Sequence, residues 1–122
     1  MIWLLVALVG GGGASIRFVS DTWISRRLGR HIPYGTITVN VIGSFLGGVI
    51  LGFSRWGSTH LELAAVLLTG LMGGLTTAST LAAEFAGMVD QKRYREAIVL
   101  PIVLALVAVV LALCGLGIGL AL

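Results

Sequence analysis

The sequence predicts an all-α integral membrane protein: one domain, residues 1–122, with four transmembrane helices and the third helix broken near residues 73–77. Three observations carry this reading. Only 11% of the 122 residues are charged and 57% are hydrophobic, with a mean hydropathy of +1.06, whereas a soluble domain carries about 25% charged residues. Four apolar stretches each approach the ~20 residues that a helix needs to cross the hydrocarbon core. The third of them holds Gly70-Leu71-Met72-Gly73-Gly74-Leu75-Thr76-Thr77-Ala78-Ser79-Thr80-Leu81, and lipid tolerates neither broken helix nor loose hydroxyls unless they face protein or a polar pathway.

The first span covers roughly residues 2–19. It contains Gly10-Gly11-Gly12-Gly13-Ala14-Ser15-Ile16-Arg17. Glycine costs about 1 kcal/mol relative to alanine inside a helix, so the run predicts close packing, because small residues let membrane helices approach. No strand precedes it and no Gly-Lys-Ser/Thr follows, which argues against a phosphate-binding loop. Arg17 lies within or near the end of the span. It either snorkels to the interface or raises the potential for an anion arriving from water.

The second span covers roughly residues 35–53. Thr36, Asn40 and Ser44 fall at four-residue spacing and share one helix face. Asn40 offers two N–H donors and one acceptor, so it faces protein or a pathway; an interhelical hydrogen bond and an ion path are the two readings. The third span covers roughly residues 61–88 and supplies Thr69, Thr76, Thr77, Ser79, Thr80 and Glu84. A break beside Gly73 and Gly74 would free carbonyls such as those of Gly73 and Thr76. A hard cation with oxygen ligands would satisfy them, as would donors from another subunit. Glu84 is a membrane carboxylate close to the end of the span and therefore a functional candidate. The fourth span covers roughly residues 97–122 and is apolar almost throughout. Cys114 lies in it, without an intrachain partner, and is expected to be a buried apolar residue.

The connections set the orientation. Residues 20–34 carry Arg26, Arg27 and Arg30; residues 89–96 carry Lys92, Arg93 and Arg95; residues 54–60 carry Arg55 alone. The first and third loops share one side, and the positive-inside rule places them in the cytoplasm with both termini outside. The segment after Met1 has no basic flank and no cleavage signature, so no removable signal peptide is expected. Basic residues confined to short loops argue against nucleic-acid binding. No metal-ligand cluster and no nucleophile–base pair is visible, so no enzyme is expected. Four helices around a solid core leave no aqueous path, so the chain is expected to work as an oligomer.

At four points, in order and spacing, the sequence resembles the Fluc (CrcB) fluoride channel family. These are Gly10-Gly11-x-Gly13-Ala14-x-x-Arg17, Gly35-Thr36-x-x-Val39-Asn40-x-x-Gly43, Gly70-x-x-Gly73-Gly74-x-Thr76-Thr77-x-Ser79-Thr80, and Glu84. The resemblance covers essentially the whole chain, and its third element is the most specific. It implies an antiparallel, dual-topology dimer in the inner (plasma) membrane with two anion pores at the subunit interface. It implies passive fluoride export that protects the cell, and a structural sodium ion held by backbone carbonyls, here those of Gly73 and Thr76. It implies a pore pathway that includes Asn40, Thr77, Ser79 and Thr80, with Arg17 near the cytoplasmic vestibule. Fluoride is small and strongly hydrated, so hydroxyls, amide N–H groups and the positive edges of aromatic rings suit it.

Two departures stand out. The family usually has Phe at the positions of Ala78 and Leu81, and a Tyr with several hydroxyls in span four. Both departures remove donors from the pore wall. The charge bias of the loops favours a heterodimer with a second Fluc-like subunit over a homodimer, because a chain that inserts both ways needs little bias. The competing classes are a non-conducting accessory membrane subunit and a small multidrug-type four-span exporter. The latter relies on a carboxylate in span one, and none occurs between Met1 and Ser20.

Overall fold

In the computed structural model, which describes residues 1–54, 58–76 and 78–122, the described residues fold into helices joined by short connections. Helix α1 (Ile2–Leu28) runs unbroken through the four glycines. It also runs past Val19, where the sequence reading ended the first span and began a loop. Hydropathy falls there, but nothing between Ser20 and Leu28 stops a helix. The stop is Gly29, whose φ of 84° is left-handed and whose amide donates to Ser25 O at 2.9 Å. At 1.5 Å per residue α1 is about 40 Å long, against about 30 Å for the hydrocarbon core. The first connection therefore shrinks to residues 29–33, and Arg26 and Arg27 belong to the last helical turn.

Helix α2 (Tyr34–Phe53) follows Pro33. Helix α3 starts as Ser58–Val66, widens into a π-helical stretch, Leu67–Met72, and finishes as Gly73–Leu75. Helix α4 (Ala78–Asp90) resumes in the same span. A tight turn with Lys92 at φ 61° leads into α5 (Tyr94–Ala121), which contains Pro101. Among the described residues, four segments are long and apolar enough to cross a membrane: Ile2–Leu28, Tyr34–Phe53, Leu61–Asp90 and Tyr94–Ala121. With large apolar side chains such as Trp3, Leu8, Phe18, Ile102, Leu106 and Leu113 exposed along them, the chain is a multi-pass membrane protein.

Small residues set the helix crossings. Helices α2 and α5 interlock so closely that a Cβ on Gly48 would collide with the Ala112 carbonyl, and one on Gly115 with the Phe45 carbonyl. Helix α1 crosses α3 in the same way: a Cβ on Gly74 would meet the Gly10 carbonyl. Only half of the glycine run serves this crossing, since a Cβ on Gly11 or Gly12 would have nothing within 4 Å. The small apolar core is Val39, Met72 and Leu75, where α2 meets α3. Cys114, expected to be buried, stands exposed on the outside of α5. It falls on the side of that helix turned away from α2.

Candidate functional site

The third span breaks at Thr76, which is extended at φ −96°, ψ 142°. Its N–H and its hydroxyl both donate to Met72 O, at 2.8 and 2.7 Å, so its carbonyl is its remaining polar backbone group. Helix α2 approaches the break at Gly43, where a Cβ would collide with the Thr76 methyl. Gly73 is exposed, and a Cβ on it would meet nothing. The helical partner of its carbonyl would be the amide of Thr77, which lies outside the described residues. The predicted break is thus present, and its extended residue is Thr76.

Beside the break, α1, α2 and α4 share a polar ladder. Arg17 Nη1 donates to Thr80 Oγ1 at 3.2 Å. One turn further along both helices, the Thr36 hydroxyl lies 3.0 Å from Glu84 Oε1 and 3.3 Å from Asp21 Oδ1. Arg17 and Asp21 share one face of α1, and Thr80 and Glu84 share one face of α4, because each pair is four residues apart. Thr36 is only 2% exposed. A hydroxyl carries one proton, so it serves one carboxylate at a time. Glu84 Oε2 is buried without a partner. Asp21 escaped the sequence reading because the first span was ended before it. Its signal was the four-residue spacing from Arg17. Gly35 makes room for it, since a Cβ there would collide with Asp21 Oδ1. The ladder opens into a cavity of about 270 Å³ whose lining includes Asp21, Glu84, Arg30, His31 and Arg93.

A second feature lies between α2, α4 and α5. Asn40, Ser44, Ala78, Leu81, Phe85 and Pro101 help to line a groove of about 350 Å³. The Asn40 amide donates to Thr36 O at 2.7 Å, and the Ser44 hydroxyl donates to Asn40 O at 2.8 Å. Both bonds stay within α2, so among the described residues Asn40 forms no interhelical hydrogen bond. Ala78, Leu81 and Phe85 follow one face of α4, and Phe85 contributes the ring to this groove. Ser79 is exposed and does not line this groove.

Among the described residues no group of three His, Cys, Asp or Glu is placed to hold a metal ion. Any cation at the break would be held by backbone oxygen.

Residues 4–120 match the family described as CrcB-like protein, Camphor Resistance (CrcB). A Geobacter metallireducens protein named fluoride-specific ion channel FluC is 42% identical over 114 residues, covering 93% of this chain and 90% of that protein. A protein of the same name from Aeromonas salmonicida is 37% identical over 97 residues, covering 79% and 78%. Fluoride-specific ion channel FluC 3 of Bifidobacterium longum is 36% identical over 112 residues, covering 92% and 93%. With a match from its fourth residue almost to its end, and with these relatives, the chain belongs to the CrcB-like family.

Proposed function

We propose that this chain is a subunit of a fluoride-specific ion channel that lets fluoride leave the cytoplasm passively, with no step of covalent chemistry. The observation that carries this reading is the Arg17–Thr80 hydrogen bond beside the break at Thr76, in a chain whose relatives are named for fluoride. A fluoride ion sheds water only where donors replace it. The Arg17 guanidinium, the Asn40 amide N–H, the hydroxyl of Thr80 and an aromatic edge are of that kind. Thr77 and Ser79 are assigned to the same pathway by position in the motif.

The functional unit in this proposal is an antiparallel dimer. The groove at Asn40 and Phe85 is open, and its Ala78 is exposed, so one chain supplies only part of a pore wall. Carbonyls of Gly73 and Thr76 from two chains would hold a structural sodium ion. Supporting this are the extended Thr76, whose N–H and hydroxyl are already engaged, and the open space at Gly73. The ion would supply positive charge that balances carbonyls taken out of the helical ladder. The exposed Arg26, Arg27, Arg30, Lys92 and Arg95 share one end of the bundle, which supports a fixed orientation with that end cytoplasmic, in the cell's inner membrane. A fixed orientation in turn favours pairing with a second, oppositely biased Fluc-like chain.

One observation favours a second reading, a non-conducting accessory subunit: Ala78 and Leu81 put only small or aliphatic groups into the groove beside Asn40. Fluoride efflux from liposomes, with chloride as control, separates the two. The channel reading expects fluoride-selective efflux from this chain alone or with a second Fluc-like chain. No efflux in either arrangement would sink it.

A further inference from the structure

We propose that the end of the bundle formed by the last turns of α1 and the turn before α5 is a binding surface for anionic phospholipid headgroups. The residues are Trp23, Arg26, Arg27, Arg30, Lys92 and Arg95. The length of α1 sets up the surface. A helix of 27 residues overshoots the hydrocarbon core by about 10 Å, which brings the turn from Trp23 to Arg27 to headgroup depth. Trp23 is 59% exposed there, and the Arg27 guanidinium lies 5.2 Å from the centre of its ring. Such an amphipathic ring with a cation at its face belongs at a membrane–water interface. Tyr94, 57% exposed at the start of α5, adds a second ring at this end.

The two basic segments are held together. Arg93 donates to His31 O at 2.7 Å, tying the turn at 91–93 to the connection at 29–33. Arg93 also pairs with Glu96, the only ion pair among the described residues. That leaves Arg26, Arg27, Arg30, Lys92 and Arg95 exposed and without a carboxylate partner. Of the acidic groups at this end, Glu96 is taken by Arg93, Asp21 and Glu84 face Thr36, and Asp90 alone is exposed. The surface is therefore strongly cationic, spread along the membrane plane, and edged by aromatic rings.

A free phosphate would need donors converging on one point. The nearest cavity has Asp21 and Glu84 in its lining, which repel an anion. A sheet of phosphodiester headgroups matches a spread of cations instead. A basic residue near an anionic surface is worth about a fivefold preference, so three of them give about a hundredfold.

The test uses the purified full chain and its variant R26Q/R27Q/R30Q. Each is mixed in detergent with phosphatidylcholine and phosphatidylglycerol, and retained lipid is counted by native mass spectrometry. A second arm measures thermal stability with phosphatidylglycerol, with phosphatidylcholine or with inorganic phosphate. The proposal expects wild type to retain phosphatidylglycerol selectively and to be stabilised by it alone. It expects the variant to lose most of that selectivity, by one to two orders of magnitude, while keeping its stability in phosphatidylcholine. Equal retention of the two lipids by wild type overturns the proposal. So does stabilisation by inorganic phosphate equal to that by lipid, or a variant that keeps full selectivity.

Discussion

Thr36→Val tests the polar ladder at its centre. Valine has almost the volume of threonine, so no cavity opens and only the hydroxyl is lost. That hydroxyl lies 3.0 Å from Glu84 Oε1 and 3.3 Å from Asp21 Oδ1, on a side chain 2% exposed. A hydrogen bond to a charged group contributes about 1.5–3 kcal/mol in soluble proteins, while pairs inside membranes average about 0.6 and reach about 1.7 kcal/mol. The burial of Thr36 and the carboxylate acceptor argue for the upper end of the membrane range, so the expected loss is about 1.5 kcal/mol. The matched control is Thr38→Val, two residues along the same helix, whose hydroxyl only returns to Tyr34 O at 2.7 Å. Its change should stay within about 0.5 kcal/mol. Reversible denaturant unfolding in detergent measures both. A double-mutant cycle with Glu84→Gln should show a coupling of about 1 kcal/mol. If Thr36→Val is no more costly than Thr38→Val, or the cycle is additive, the hydroxyl does not hold the carboxylates together.

Four further outcomes follow from the same geometry. Gly74→Val drives a side chain into the Gly10 carbonyl and should cost about 1–3 kcal/mol by forcing α1 off α3, measured by the same unfolding assay. Gly73→Ala meets nothing among the described residues, so its unfolding should be unchanged within about 0.5 kcal/mol, while crosslinking of the proposed dimer should fall sharply; unchanged crosslinking would remove Gly73 from the dimer centre. Phe85→Ile keeps an apolar side chain in the groove but deletes its ring, and should lower fluoride efflux about tenfold, the effect of about 1.4 kcal/mol, with Leu81→Phe restoring part of it. Replacing sodium by a bulky organic cation throughout purification should destabilise the dimer without unfolding the chain; a dimer indifferent to sodium would argue against the carbonyl site at Gly73 and Thr76.

The helical architecture was legible because it follows from composition and run length. The break was legible because Gly73, Gly74 and two threonines make a weak point that no lipid-facing helix would keep. The end of α1 was not legible from hydropathy, which falls at Ser20, while the helix needs a stop signal and meets none before Gly29. That error hid Asp21, and with it the second carboxylate on Thr36. Arg17 and Thr80 were each singled out, but 63 residues of sequence separate them. Their hydrogen bond depends on the angle at which Gly10 lets α1 cross α3, which no local pattern encodes.

The break also bears on how the chain can exist in a bilayer. Backbone groups outside a helical ladder find no water in hydrocarbon, and each unsatisfied one costs several kcal/mol. The Thr76 N–H still bonds Met72 O, but its extended backbone ends the helix there, and Gly73 stands exposed with no described residue near its open side. The same region carries the exposed Ala78, next to the groove that Asn40 and Phe85 line. A backbone carbonyl freed at the break would need a protein or ion partner there. Covering the break with protein removes that cost. The break also borders the groove lined by Asn40 and Phe85, so in the proposed dimer a partner covering the break would be placed to complete the proposed pore wall.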